Sequence, residues 1–426
     1  MFLFAIARHL IYSRLNADGG RSDYYYNDAI TWVVGALALA WLIWWFVSAY
    51  RRVRALRRSP RRGKYKLPKR IARIKRDLGS RYLRPGFSGN IHAVGIGRLG
   101  GSDDYCIQVF ISDANEEILP GAAALPNRYR GVPVVPIEMP LAGFLSGPAL
   151  KETVSLDAYP NGIREHQEVI IGGISGANTN LTGQSGTIGY FCTRKSKLRR
   201  RKEVHLLSNS HVFADLRKAT VDDTDLIMQP SPGEPANNRP IGTLVDFSAL
   251  KFETGINDPN HIDAAIAKLW EPQPHNPVIP MIGAVKGYVM KQEIEVGEAV
   301  RKFGRTTGYT EGRVFSICLD IWIRYDRTGQ SAFFQNQFLI EPSLPSFAKF
   351  VAKGDSGSLV VDEKQHAIGL IFGGMAELPE SLASESAANV AGKIQVPTDR
   401  PQRIESYGVA NPISEVLDRL KIDLLI

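Results

Sequence analysis

Cysteine is scarce in this chain: Cys106, Cys192 and Cys318 are the only three in 426 residues. That count excludes a disulfide framework and a cysteine-built metal knuckle. An odd number leaves at least one free thiol or an intermolecular link, and scattered thiols suit a reducing compartment. The His-Glu-x-x-His spacing of zinc proteases is also missing. The stretch Arg164–Glu168 (REHQE) does not supply it, so no catalytic metal is expected. Gly304–Gly312 (GRTTGYTEG) lacks the Gly-Lys-Ser/Thr ending of a phosphate loop and reads instead as a turn between strands. No cofactor is implied, and no internal repeat is evident.

Acidic residues are missing from one long stretch. Arg51–Arg76 carries fourteen Lys or Arg and no Asp or Glu, which accounts for the whole formal charge of +9 and leaves the remainder slightly acidic. Aromatic residues do not interleave with these charges as a single-strand nucleic-acid platform requires, so nucleic acid is not indicated as a partner. Just before this run, Thr31–Ala49 is nineteen residues without a charge. As a helix it rises about 28 Å, close to the thickness of a hydrocarbon core. The expectation is a transmembrane helix over 31–49, with Trp32, Trp44, Trp45 and Tyr50 as interfacial anchors. The positive-inside bias then makes the chain single-pass with its long C-terminal part cytoplasmic, and the basic run 51–76 meets anionic lipid. From Pro68 onward, Ile71, Ile74 and Leu78 fall at helical spacing.

The 39 glycines and 25 prolines bias the rest toward short strands and turns. Residues 86–173 read as a small α/β unit, with strands at Ile91–Ile96, Tyr105–Ser112 and Gly131–Pro140. Further strands are expected at Gly186–Thr193, Val204–Ser208, Ile262–Leu269 and Ile368–Gly373, and a terminal helix at Pro412–Leu420. Residues 1–50 and 51–85 then form the membrane and juxtamembrane segments, 174–285 a first barrel and 286–426 a second.

The sharpest local signal is Gly354-Asp355-Ser356-Gly357-Ser358 running into the apolar strand LVV. A serine hydroxyl is a weak nucleophile near neutral pH and needs a base for its proton and amide donors for the oxyanion. Gly354 and Ser356 are placed to give those backbone N–H groups. Two other segments could complete such a site. Leu206–Phe213 (LLSNSHVF) carries His211 at the exit of an apolar strand, and Asp263 opens the strand IDAAIAKL. A buried carboxylate is costly unless paired, and an imidazole Nδ1 proton would pair it while fixing the tautomer that base catalysis needs. Asp258 is the rival acid in a polar turn, and His205 and His261 read as strand or surface residues. Asp355 reads as the residue that holds the serine loop.

The order His, Asp, Ser, together with LLSNSHV, DAAIAKL, KFGRTTGYTEGRV and GDSGSLV, resembles the trypsin-like serine peptidases. Within them it is similar to the family typified by the plant narrow-leaf protease and its bacterial relatives, which the closing YGVANPISEVLDRL also resembles. The resemblance implies a mainly β, chymotrypsin-like double β-barrel behind the small α/β unit and membrane helix. It implies His211, Asp263 and Ser356 as catalytic residues of an endopeptidase acting on a protein or peptide, and it implies self-assembly. Phe350, Val351 and Ala352 then line the primary pocket, facing Phe372, Gly373 and Gly374. No acid stands at the floor position Phe350, so an apolar or small side chain is expected before the cut. The alternatives are a non-proteolytic scaffold on the same fold and a hydrolase of a non-peptide acyl substrate.

Overall fold

The computed structural model describes residues 40–44, 67–83, 90–100, 102–113, 125–144, 162–195, 203–216, 221–222, 224–235, 237–325, 329–343, 346–375, 402–404 and 406–426. The chain divides into two units, Met1–Arg57 and Arg58–Ile426. In the first, residues 40–44 form a helical stretch with exposed Trp41 and Trp44. Among the described residues no helix is long and apolar enough to cross a membrane. This corrects the expected transmembrane helix at 31–49, along with the single-pass topology and the lipid contact drawn from it. The other residues of that stretch, and 51–66 of the basic run, lie outside the described residues.

The second unit begins with α1 (Lys69–Tyr82), whose Ile74 and Leu78 are buried. Its apolar face packs on Ile91, Val94, Ile107 and Val109, the faces of β1 (Ile91–Arg98) and β2 (Tyr105–Ile111). Buried Lys75 on the same face pairs with Asp320 at 2.7 Å. The helix therefore spends its apolar stripe on the protein's own sheet, and the lipid contact expected of this part of the basic run is corrected as well. After β2 come β3 (Val132–Glu138) and the two-residue β4 (Gly143–Phe144).

Next is an antiparallel sheet of seven strands: β5 (Ala177–Asn178), β6 (Tyr190–Arg194), β7 (His205–Ser208), β8 (Leu226–Gln229), β9 (Arg239–Phe247), β10 (Ala265–Leu269) and the C-terminal β17 (Ile422–Leu424). A four-residue helical turn, α2 (Ser210–Phe213), follows β7. Six longer strands belong to the larger sheet: β11 (Ala299–Gly304), β12 (Gly308–Tyr325), β13 (Gln330–Pro342), β14 (Leu359–Asp362), β15 (His366–Met375) and β16 (Tyr407–Pro412). They pair in the ring β11-β14-β15-β16-β13-β12, which the β11–β12 hairpin closes into a six-stranded barrel. Closure leaves no free edge along the ring. Val300, Val314, Phe338, Ile340, Val360 and Ile371 fill a core shared with Phe350.

The long β12 serves two sheets in turn. Its first half pairs with β11, and after irregularities at Val314/Ser316 and Ser316/Leu319 its second half pairs with β1. Such bulges bend a strand and raise its twist. Strands β1, β2 and β3 thus continue the larger sheet. The helix α3 (Ile413–Arg419) and β17 return to the smaller sheet, where Val416, Leu417 and Ile422 join its core. The three cysteines are free thiols, and burial pushes Cys106 up to about 11.

Candidate active site

Strands β7 and β10 pair antiparallel with Ser208 opposite Ala265, so the residues just after the one lie beside those just before the other. This register brings His211 to Asp263. Asp263 accepts a short hydrogen bond from His211 Nδ1 through Oδ2. Its Oδ1 accepts the backbone N–H groups of Ser210 at 2.7 Å and His211 at 3.3 Å. A carboxylate with no exposed surface thus has three donors, the condition for keeping a charge away from water. With Nδ1–H donating to the carboxylate, Nε2 is left as acceptor, and Ser356 Oγ lies 2.8 Å from it. The three side chains are fully buried.

The backbone of Asp263 is fixed by amides the sequence reading did not single out. Asn209 Nδ2 donates to Asp263 O at 2.7 Å, and Asn411, at the end of β16, both donates to that oxygen at 3.1 Å and accepts Asp263 N–H at 3.0 Å. The rival Asp258 is solvent-exposed and paired with Lys251. His205 is bonded by Nδ1 to Glu203 O at 3.0 Å.

Ser356 sits in the loop between β13 and β14, which closes by two near approaches. A Cβ on Gly354 (φ +103°) would stand 2.3 Å from Thr306 Oγ1, and one on Gly357 (φ +96°) 2.1 Å from Thr187 O. Only glycine fits either position. Asp355 turns inward with no exposed surface and accepts from Lys302 Nζ at 3.2 Å, Thr307 Oγ1 at 2.7 Å, and the N–H groups of Ala352 at 2.9 Å, Thr306 at 2.9 Å and Thr307 at 3.2 Å. Burial lowers the Lys302 ammonium below its ordinary range while Asp355 opposes the shift. The GRTTG turn joining β11 to β12 is therefore the clamp of the serine loop.

The same turn orients the peptide before Gly354. Thr306 Oγ1 donates to Lys353 O at 2.7 Å, and across a trans peptide this directs Gly354 N–H away from Thr306. Neither Gly354 N–H nor Ser356 N–H has an acceptor among the described residues. Thr187, in a two-residue strand (Thr187–Ile188) whose Ile188 packs into the core of the smaller sheet, ties the loop down, its Oγ1 donating to Gly354 O and its N–H to Ser356 O, each at 2.8 Å. A buried ion pair between Arg305 Nε and Glu234 Oε1 makes a second tie.

Of the residues assigned to the primary pocket, Phe350, Val351 and Ala352 share one core and Phe372 belongs to another. Phe350, Val351, Ala352 and Phe372 are buried, and a Cβ on Gly374 would stand 3.0 Å from Val351 Cγ2. An open cavity of about 730 Å³ lies elsewhere, lined by Glu203, Lys268, Trp270 and His275. It sits at the ends of β7 and β10 remote from His211 and Asp263, four or five strand residues away.

Residues 227–381 match Peptidase family S64, a stretch that contains Asp263 and Ser356 and begins after His211. The chain is 28% identical over 136 residues to Protein NARROW LEAF 1 of Oryza sativa subsp. japonica, which covers 31% of this chain and spans 20% of that protein. Among solved structures it is similar to Thermobifida fusca Protease A at 16% identity and TM-score 0.37, covering 60% of this chain and 98% of that one. It is also similar to Cellulomonas bogoriensis chymotrypsin at 15% identity and TM-score 0.35, again covering 60% and 98%. The closed barrel, the second antiparallel sheet and the S64 match give the chain a mainly β, chymotrypsin-like serine-protease fold, related to Peptidase family S64.

Proposed function

We propose that the protein is a serine endopeptidase in which Ser356 attacks a peptide carbonyl. The observation that carries the reading is the unbroken chain of hydrogen bonds from Asp263 through His211 to Ser356. Ser356 Oγ–H gives its proton to His211 Nε2 as the C–O bond forms, and the imidazolium then protonates the leaving amine. The acyl-enzyme is released when His211 takes a proton from water and the resulting hydroxide attacks the ester. Asp263 holds the tautomer and stabilises the imidazolium, and the free N–H groups of Gly354 and Ser356 receive the oxyanion. The motifs around His211, Asp263 and Ser356 support a likeness to the narrow-leaf type within the superfamily.

The apolar residues Phe350, Val351 and Ala352 beside Gly374 support a small or apolar side chain before the cut. Cleavage of a peptide library mainly after Arg or Lys would sink that specificity. The test of the function itself is proteomic: new peptide ends produced by the full chain are compared with those from Ser356→Ala at equal expression. Ends that vanish with Ser356 support proteolysis. Their absence in folded protein that hydrolyses a small acyl ester in a Ser356-dependent way would favour a non-peptide acyl substrate. Absence of both activities would favour the scaffold, a reading that the complete burial of Ser356 and His211 itself favours.

A further inference from the structure

The side chains of Ser356 and His211 are fully covered, and part of the cover is a piece of this chain lying where a peptide would lie. Strand β15 passes directly by the nucleophile, with Ser356 Oγ 3.4 Å from Phe372 O. Its next two residues, Gly373 and Gly374, are flanked on one side by β16, where they pair with Val409 and Gly408. The opposite edge is the one open to an extended ligand, since peptides commonly bind by adding a strand to a sheet edge. Here β4 fills it, Phe144 opposite Gly373 and Gly143 opposite Gly374, antiparallel. Passing from Gly143 to Phe144 therefore means passing from Gly374 toward Phe372 and Ser356. The chain runs toward the nucleophile in main-chain pairing, as a peptide presented for cleavage would.

The side chain agrees with the backbone. The Phe144 ring lies 4.7 Å from the His211 ring, centroid to centroid, and its other neighbours are Tyr325 at 5.3 Å, Phe334 at 6.2 Å and Phe372 at 6.4 Å. Upstream the segment is moored by polar contacts: His92 Nε2 donates to Met139 O at 2.7 Å, Tyr407 Oη to Pro140 O at 2.5 Å, and Arg324 N–H to Ala142 O at 2.9 Å. On its far side Gly143 also pairs with Arg324 of β12, and only two residues pair with the edge beside Ser356. Building on the serine-peptidase reading, we propose that Gly143–Phe144 is an intramolecular occupant of the substrate edge, which a peptide must displace before Ser356 can act on it. The resting protein is then self-blocked, and the occupant shows the chemistry the edge accepts: an extended peptide with a small residue followed by an aromatic one.

The full chain tests this with two readouts. In a Ser356→Ala background, binding of a fluorescein-tagged peptide of the sequence Met139–Phe144 is measured with and without Phe144→Ala. Removing the ring is expected to tighten binding at least tenfold; equal affinity in folded proteins, or none in either, overturns the proposal. Should Phe144→Ala fail to fold, Phe144→Leu keeps the apolar packing while removing the ring from His211. Hydrogen exchange over residues 139–144 is then followed as the peptide is added. Faster exchange on binding supports displacement, and unchanged exchange with peptide bound overturns it. With Ser356 restored, labelling by diisopropyl fluorophosphate is expected to be at least tenfold faster in Phe144→Ala than in the unsubstituted chain. Phe144-dependent peptide binding without any labelling at Ser356 would leave the occupant standing and refute the peptidase reading, so the two failures are distinguishable.

Discussion

Removing Lys302 probes how the serine loop is held. Its ammonium lies 3.2 Å from Asp355 Oδ2, and neither side chain has exposed surface. Breaking a buried pair by deleting one partner costs about 3–5 kcal/mol, because the other charge stays buried and uncompensated. Lys302→Met falls near the lower end, about 3 kcal/mol, since Asp355 keeps Thr307 Oγ1 and the N–H groups of Ala352, Thr306 and Thr307. Asp355→Asn costs a similar amount by a different route. The amide oxygen cannot accept from as many donors, and the lysine is left with Thr307 Oγ1 and Gly308 O. The double variant Lys302→Met/Asp355→Asn leaves neither partner of this pair charged and is expected to be less destabilised than the two singles together by about 2 kcal/mol, within the range of coupling between contacting residues. Urea unfolding of the four proteins measures the cycle. Losses that add to within about 0.5 kcal/mol would refute the claim that this pair clamps the loop.

Two further predictions concern the site and its surroundings. Asp263→Asn is expected to slow phosphonate labelling of Ser356 by roughly 10³–10⁴-fold by losing the tautomer control of His211, while circular dichroism stays native. Asn209 and Asn411 still hold the backbone of residue 263, so a collapsed fold would refute the assignment. Burial pushes His92 from its ordinary 6.5 down to about 4, against the opposing backbone bond to Met139. Above pH 6.5 the ring is neutral folded or unfolded; as pH falls from there to about 4 the unfolded chain takes the proton first. Stability should drop by roughly 1.4 kcal/mol per pH unit, roughly 3 kcal/mol in all, and His92→Gln should remove that slope; identical acid profiles in urea titrations would refute it.

What could be read from the sequence was local. His211, Asp263 and Ser356 each stand at the end of an apolar strand or in a glycine-flanked turn, so spacing and chemistry single them out. The strands at 91–98, 105–111, 205–208 and 366–375 and the helix at 413–419 follow from alternation and helical spacing in the same way. Hydropathy misleads at 31–49, whose uncharged run reads as a span, and the basic run reads as lipid-facing although the helix at its end packs Ile74 and Leu78 on β1 and β2. An apolar face says that something covers it and does not say what. Long-range partners leave no local trace either. Nothing in the spacing of Thr187, Glu234 or Asn411 marks them, because each gains its meaning from a residue scores of positions away. The strand Gly143–Phe144 is two residues long, too short for a period to show.

Those unmarked residues explain why the catalytic candidates can meet at all. His211 and Asp263 come from the smaller sheet and Ser356 from the closed barrel, so the 2.8 Å between Nε2 and Oγ depends on how two sheets are set against each other. Apolar packing alone tolerates small slides, because its energy varies smoothly with buried area. Hydrogen bonds lose strength over a few tenths of an ångström and leave buried polar atoms unpaired when they break. Three such ties reach across from the closed barrel and its loops: Asn411 to the backbone of Asp263, the carbonyls of Gly354 and Ser356 to Thr187, and Arg305 to Glu234. A slide that lengthened the serine–histidine contact would strain all three, so its cost is the cost of several buried polar groups and not of one. The alignment needed for proton transfer is thus set by residues that take no part in the transfer, and variants of Thr187 or Glu234 should shift Ser356 Oγ although neither side chain bonds to it.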